Sequence, residues 1–291
     1  MKSILFVRPE GGIIEFANPA PRREPAAEQI VFRRSDGSAI VFFRKYNPYH
    51  DRLGRFASAD GAGGAAFRPA KTQAEAEQYA RQELGFWEVD FGDHLDMETI
   101  NHINEQIHAV QEKYPELKGA VQSLRTAKLE EGAYAQTRIT GDGIIKLEFS
   151  SADYEKGLSA VARKYQQGVM GGIFPKGVDE RSIIWHEYGH VLAAYVCKKW
   201  VSPERNFFEK GSAESKEFSQ MRRERVVEKI WLEKAAQRLR ISTKNLSAAI
   251  SVYAKGDDAE TFAEAFSEAN CSASPRWEAL AVMRASGYDR E

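Results

Sequence analysis

The stretch WHEYGH, Trp185 to His190, is the one on which the fold turns. It sets two histidines four residues apart, with a glutamate directly after the first. On an α-helix that spacing is about 400° of rotation and about 6 Å of rise, so His186 and His190 project from one face and can reach a single ion. Neutral imidazole is a good zinc donor. Glu187 lies about 100° round the helix, near such an ion but poorly placed to join both histidines as a ligand. It is suited to take a proton from a water that the ion activates. Ile183, Ile184, Val191, Leu192 and Ala194 give the flanks the apolar character of a core helix. A plain amphipathic helix, its histidines hydrogen-bonded to neighbours, fits the same residues. A catalytic zinc takes a third protein ligand, and that requirement separates the two readings.

The close third-histidine form HExxHxxGxxH is absent, because Ala193, Ala194 and Val196 follow. A carboxylate from a second helix is then the expected ligand. SVYAKGDDAETFAEAFSEA (251–269) is a candidate. Glu260 and Glu264 are four apart on one helical face, which also carries Ser267 and Glu268. Phe262, Ala263, Ala265 and Phe266 lie among them. Acidic groups amid small and aromatic residues suggest a helix packed closely on something that attracts negative charge. The alternative is a solvated glutamate face.

Outward from these segments the chain reads as one large domain with an appendage. It has 291 residues, 43% of them hydrophobic, enough for a substantial core. Lys+Arg (41) nearly balance Asp+Glu (42), which argues against a dedicated nucleic-acid binder. Cys197 and Cys271 are too few and too far apart for a disulfide framework or a cysteine zinc site, and read as buried thiols in a reducing cytosol. MKSILFVRPEGG lacks the features of a signal peptide, and no stretch reaches the ~20 apolar residues of a membrane span. IVFRR (30–34) and AIVFFRKY (39–46) flank Asp36-Gly37 as a β-hairpin, and Gly- and Ala-rich sequence to residue 69 reads as a flexible connection.

From Thr72 the pattern turns helical. Helices are expected over 72–84, 96–114, 151–168, 179–199, 213–239, 244–254, 258–270 and 275–285, with a second hairpin formed by 134–140 and 144–150. The 169–177 connection is expected to hold a short strand, with Gly171 and Gly172 letting backbone approach a bound peptide. His102, Glu105 and His108 read as a solvated face, since His102 and His108 fall on opposite sides of their helix.

HEYGH followed by YAKGDDAETFAEAF resembles the zinc peptidase domain of the anthrax-toxin lethal-factor family, a gluzincin subgroup. In that family a tyrosine precedes by seven residues the glutamate that opens an E-x-F-A-E-A-F helix, and Tyr253 and Glu260 meet the spacing. The resemblance covers only the C-terminal part of the chain. It implies that His186, His190 and Glu260 bind Zn2+, that Glu187 is the general base, and that Tyr253 points its hydroxyl at the attacking water or the oxyanion. It also suggests that Glu264 holds a histidine ligand in orientation. A weaker resemblance joins YNPYHDRLGRFASADGAGG (46–64) to phage head-morphogenesis (minor capsid) proteins. It implies a phage- or prophage-encoded protein, with virion proteins among its partners.

The expectation is therefore an α+β, predominantly helical zincin-like metallopeptidase domain (72–291) with a small sheet that includes 134–150. An N-terminal β-hairpin and Gly-rich linker (1–71) would be its appendage. The expected activity is zinc-dependent endopeptidase hydrolysis of a protein or peptide substrate, in the cytoplasm or with the virion. The rivals are a non-enzymatic phage structural or adaptor protein with a stabilising metal site, and a helical scaffold with no metal.

Overall fold

The computed structural model describes residues 67–290 and, before them, the backbone of four strands. The chain divides into two compact units, Met1–Gly63 and Gly64–Glu291. In the first, β1 (Ile4–Val7), β2 (Ile13–Phe16), β3 (Glu28–Arg33) and β4 (Ala39–Arg44) form an antiparallel sheet in chain order. Ile4 pairs with Phe16, Ile14 with Phe32, and Ile30 with Phe42. The turn expected at Asp36-Gly37 and the linker at 46–66 lie outside the described residues.

The second unit is mostly helical. Its helix starts follow local chemistry. Thr72 caps α1 (Gln73–Gln82) by accepting from the Glu75 amide, and Asp96 caps α2 (Met97–Lys113) by accepting from Thr99. Pro115 follows the end of α2. Ile100, Ile103, Ile107 and Val110 of α2 are fully buried, as their spacing of three and four predicts.

A mixed four-stranded sheet carries β5 (Glu88–Asp90), β6 (Ser123–Ala127), β7 (Ala135–Ile139) and β8 (Ile145–Ser150) in the order β5-β6-β8-β7. The hairpin at 134–150 forms β7 and β8, turning at Gly143 with φ +86°. β5 and β6 run parallel to each other, as do β6 and β8, and α2 makes the crossover from β5 to β6. The hairpin thus joins a larger sheet, of which β7 is an edge.

The segment expected as one helix over 151–168 is broken. α3 (Ser151–Tyr154) and α4 (Leu158–Met170) meet at Gly157, whose φ of +84° no helix accommodates. The 169–177 connection contains no strand: α4 runs on to Met170 and turns follow. α5 (Arg181–Val201) carries the HEYGH motif. The charged segment read as one helix is two, α6 (Ala213–Arg223) and α7 (Val226–Leu239), because Arg225 adopts a left-handed conformation with φ 54°. Tertiary contacts select this break. The Arg222 guanidinium donates to buried Glu228 at 2.6 Å, and Arg225 reaches Asp257 at 3.2 Å.

α8 (Thr243–Ile250), a 3-10 turn at Tyr253–Lys255, α9 (Asp258–Cys271) and α10 (Trp277–Ser286) complete the unit. α9 is almost wholly buried, packed on α5, α7, α8 and α10. Arg276 anchors it from behind. Its guanidinium donates to fully buried Glu268 at 2.6 and 2.7 Å and to the carbonyls of Ala249 and Ile250, the exposed end of α8's hydrogen-bond ladder.

α5 and α9 cross at very short range. A Cβ built on Gly189 would stand 2.8 Å from the Ala263 Cα and 3.3 Å from the Phe266 Cβ. Glycine in a helix interior costs ~1 kcal/mol relative to alanine, and here it allows backbone to approach backbone. Replacing Gly189 with valine is expected to destabilise the metal-free protein by about 1–3 kcal/mol, as overpacking does. Urea unfolding measures this, and an unchanged midpoint would show that the crossing is not tight.

Candidate metal centre

The crossing sets the two halves of the sequence pattern face to face. From α5, His186 and His190 bring their Nε2 atoms to 3.2 Å of each other. From the first turn of α9, Glu260 brings Oε2 to 3.2 Å from His186 Nε2 and 3.6 Å from His190 Nε2. Among the described residues, these three form the one group of histidine, cysteine, aspartate or glutamate side chains able to hold a metal ion. Three ligands about 2.0–2.1 Å from a tetrahedral zinc stand about 3.3 Å apart, and the observed triangle is close to that. Glu260 Oε2 is buried and has no hydrogen bond of acceptable angle, although both rings are near it. The three ligand atoms lie within 4.8 Å of one another, close enough to share one cation.

Glu264, one turn further along α9 and almost wholly buried, places Oε1 2.9 Å from His186 Nδ1. A carboxylate there fixes the ring's orientation and leaves Nε2 for the ion. Glu268, expected on the same face, points away and is held by Arg276. The difference is angular: eight residues beyond Glu260 the helix has turned by about 80° net.

Glu187 is buried, and its Oε2 accepts a hydrogen bond from Thr137 Oγ1 at 2.7 Å. The same hydroxyl lies 3.2 Å from the Glu187 carbonyl, so β7 is fastened to α5 at the glutamate itself. The sequence reading missed Thr137. In YAQTRIT it is an ordinary strand residue, fifty positions before its partner. Tyr253 sits with its ring centroid 5.9 Å from that of His186 and 6.2 Å from that of Phe174. Its backbone N–H donates to the Ile173 carbonyl at 3.1 Å, and the Val252 N–H donates to Gly172. Gly172 has φ +72°, so the glycine-rich connection positions the tyrosine. Burial, then the charges of Glu260, Glu187 and Glu264, raise the Tyr253 pKa above its ordinary value and keep the phenol a donor.

Other expectations resolve more simply. His108 accepts or donates at Nδ1 with the Tyr79 hydroxyl at 2.8 Å, and it is half-buried rather than solvated, as is His102. Cys197 is buried and Cys271 partly so, both free thiols. Among the described residues no helix is long and apolar enough to cross a membrane. Comparison of the chain with protein-family models, curated proteins and solved structures finds no match.

Without a metal, the cluster holds itself by charge. Burial works against a charged His186, but the carboxylates of Glu260 and Glu264 beside it outweigh that and raise its pKa well above 6.5. Burial also works against a charged Glu260, and the two histidines outweigh it, lowering its pKa well below 4.5. The raised histidine gives stability that is complete below 6.5 and is lost as pH rises through its folded value. The lowered glutamate gives stability present above 4.5 and lost as pH falls through its folded value. The metal-free cluster is firmest between those two pH values.

Zinc uptake at neutral pH is accordingly expected to expel about one proton. Calorimetry in buffers of different ionisation enthalpy measures it, and a buffer-independent heat would contradict a protonated His186. Glu264→Gln is expected to weaken zinc binding about 10–100-fold, read by competition with a chromogenic chelator. An unchanged affinity would mean that Glu264 does not orient the ring.

Proposed function

We propose that the chain is a zinc-dependent endopeptidase of the gluzincin type, acting on peptide bonds in a protein or peptide substrate. The reading is carried by one observation: two imidazoles of one helical turn and a carboxylate of another helix converge at zinc-ligand separations. A structural zinc is closed by four protein ligands, whereas a catalytic one keeps a position for water or substrate. Three donors among the described residues match the second pattern. His186, His190 and Glu260 would hold the ion, and Glu264 would orient His186.

A zinc ion here would supply Lewis acidity, polarising the substrate carbonyl and making a water nucleophilic at neutral pH. Glu187 takes the proton from the attacking water. Thr137 fixes its carboxylate by a hydrogen bond at 2.7 Å. Tyr253 donates its phenolic hydrogen to the oxyanion as the carbonyl becomes tetrahedral. Glu187 then passes the proton to the departing amine. Around Tyr253, Ile173 and Val252 are, like it, large side chains left exposed, and they suit an apolar stretch of substrate. A phage or prophage origin, with virion proteins as partners, rests on residues 46–64, which lie outside the described residues.

Glu187→Gln is expected to retain zinc and lose hydrolysis about 10²–10⁴-fold. A diverse peptide library, incubated with the zinc-loaded protein and read by mass spectrometry, measures the loss. A stabilising metal site in a non-enzymatic protein predicts no cleavage by either form. Tyr253→Phe is expected to lower kcat about 10²–10³-fold with little change in KM. A raised KM with kcat unchanged would place the hydroxyl in substrate binding instead.

A further inference from the structure

Two turns beyond the metal centre, α5 ends against a cavity of about 180 Å³. Lys198, Lys199 and Tyr195 of α5 line it, together with Asn206 from the loop that follows, and Lys118 and Gln122 from the segment leading into β6. Lys198 is only 3% exposed. Its Nζ donates to the Gly143 carbonyl at 2.9 Å and lies 5.5 Å from the centre of the Phe207 ring. An ammonium has three donors, and one carbonyl accepts one of them. No carboxylate pairs with Lys198 among the described residues.

Lys199, next to it at the cavity and half-exposed, also lacks a carboxylate partner among the described residues. Its partners are the Pro203 carbonyl at 3.1 Å and the Asn206 side-chain oxygen at 2.9 Å, neither of which carries a charge. The cavity wall contains one carboxylate, Glu116, and Arg290 already pairs with it at 2.6 Å. The carbonyl ends of α5 place a partial negative charge near Lys198, well short of a full counter-charge. Burial, reinforced by the neighbouring Lys199, pushes the Lys198 pKa down to about 8, the signature of a cation without its anion.

Buried charges are ordinarily paired. We propose that the cavity binds a small oxyanion of the phosphate class, held between the Lys198 and Lys199 ammonium groups with Lys118 at the mouth. Such a ligand would take up the unused donors of Lys198 and supply the missing negative charge. Its site is separate from the metal centre and does not depend on peptidase activity.

The test is isothermal titration of the full, chelator-treated chain with inorganic phosphate at pH 7, against chloride at equal ionic strength. Removing zinc ensures that phosphate does not report on the metal centre. The expected result is saturable binding, weakened about tenfold or more in Lys198→Met, which keeps the length and apolar stem of the side chain. Lys199→Met, at a half-exposed position, should also weaken it and decides the matter where Lys198→Met does not fold. Absence of saturable binding by the unmodified chain would overturn the proposal. So would binding of equal strength in the folded lysine variants.

Discussion

The approach of Gly189 to Ala263 is the contact on which the rest of this structure depends. Two helices ordinarily pack with axes 8–10 Å apart, separated by side chains at the contact. Here one partner offers no side chain and the other only a methyl group, so the backbones of α5 and α9 close together. The short side chains at the crossing let long ones meet beside it. His186 and His190 stand on the α5 face next to Gly189, and Glu260 and Glu264 stand on the α9 face next to Ala263. A glutamate and a histidine can then bring donor atoms within reach of one ion. Separating the helices by the thickness of a valine would pull the carboxylate away from the rings.

Charge inside the fold is handled by pairing, and the pairs sort by purpose. Glu268 with Arg276 and Glu228 with Arg222 are buried carboxylates, each paired with a guanidinium, and that of Arg276 also ties down the end of α8. Such pairs add little net stability over an apolar core, but breaking one leaves an uncompensated charge costing about 3–5 kcal/mol. The histidine–glutamate cluster differs. Its members gather two imidazoles and a carboxylate within reach of a single cation, with Glu264 against the far side of His186. Lys198 differs again, since among the described residues a carbonyl is its partner and no anion is.

Much of this arrangement is legible in the sequence, for a physical reason: residues four apart on a helix must share a face. That rule alone places His186 with His190 and Glu260 with Glu264, and the hydrophobic spacing of α2 is readable in the same way. The spacing says nothing about which helices touch. Gly189 was the signal left unread, an interior helical glycine whose intrinsic cost asks for a close contact. Thr137 could not be found, because a strand threonine carries no mark of the glutamate it will meet. The break at Arg225 has no glycine or proline to announce it, and contacts with Asp257 and Glu228 decide it. β5 and β6 are short and lack a marked alternation, so their parallel pairing emerges only from the tertiary structure. Glu268 was misplaced because a drift of about 80° over two turns is enough to carry a side chain to another neighbour.

The central claim is that donors from α5 and α9 share one cation. X-ray absorption at the zinc edge, on protein loaded with one equivalent, tests it most directly. The account predicts two imidazole nitrogens and carboxylate or water oxygens at about 2.0–2.2 Å, with an imidazole contribution lost in His190→Ala and an oxygen contribution altered in Glu260→Ala. A sulfur ligand, or a spectrum unchanged by both substitutions, would contradict it.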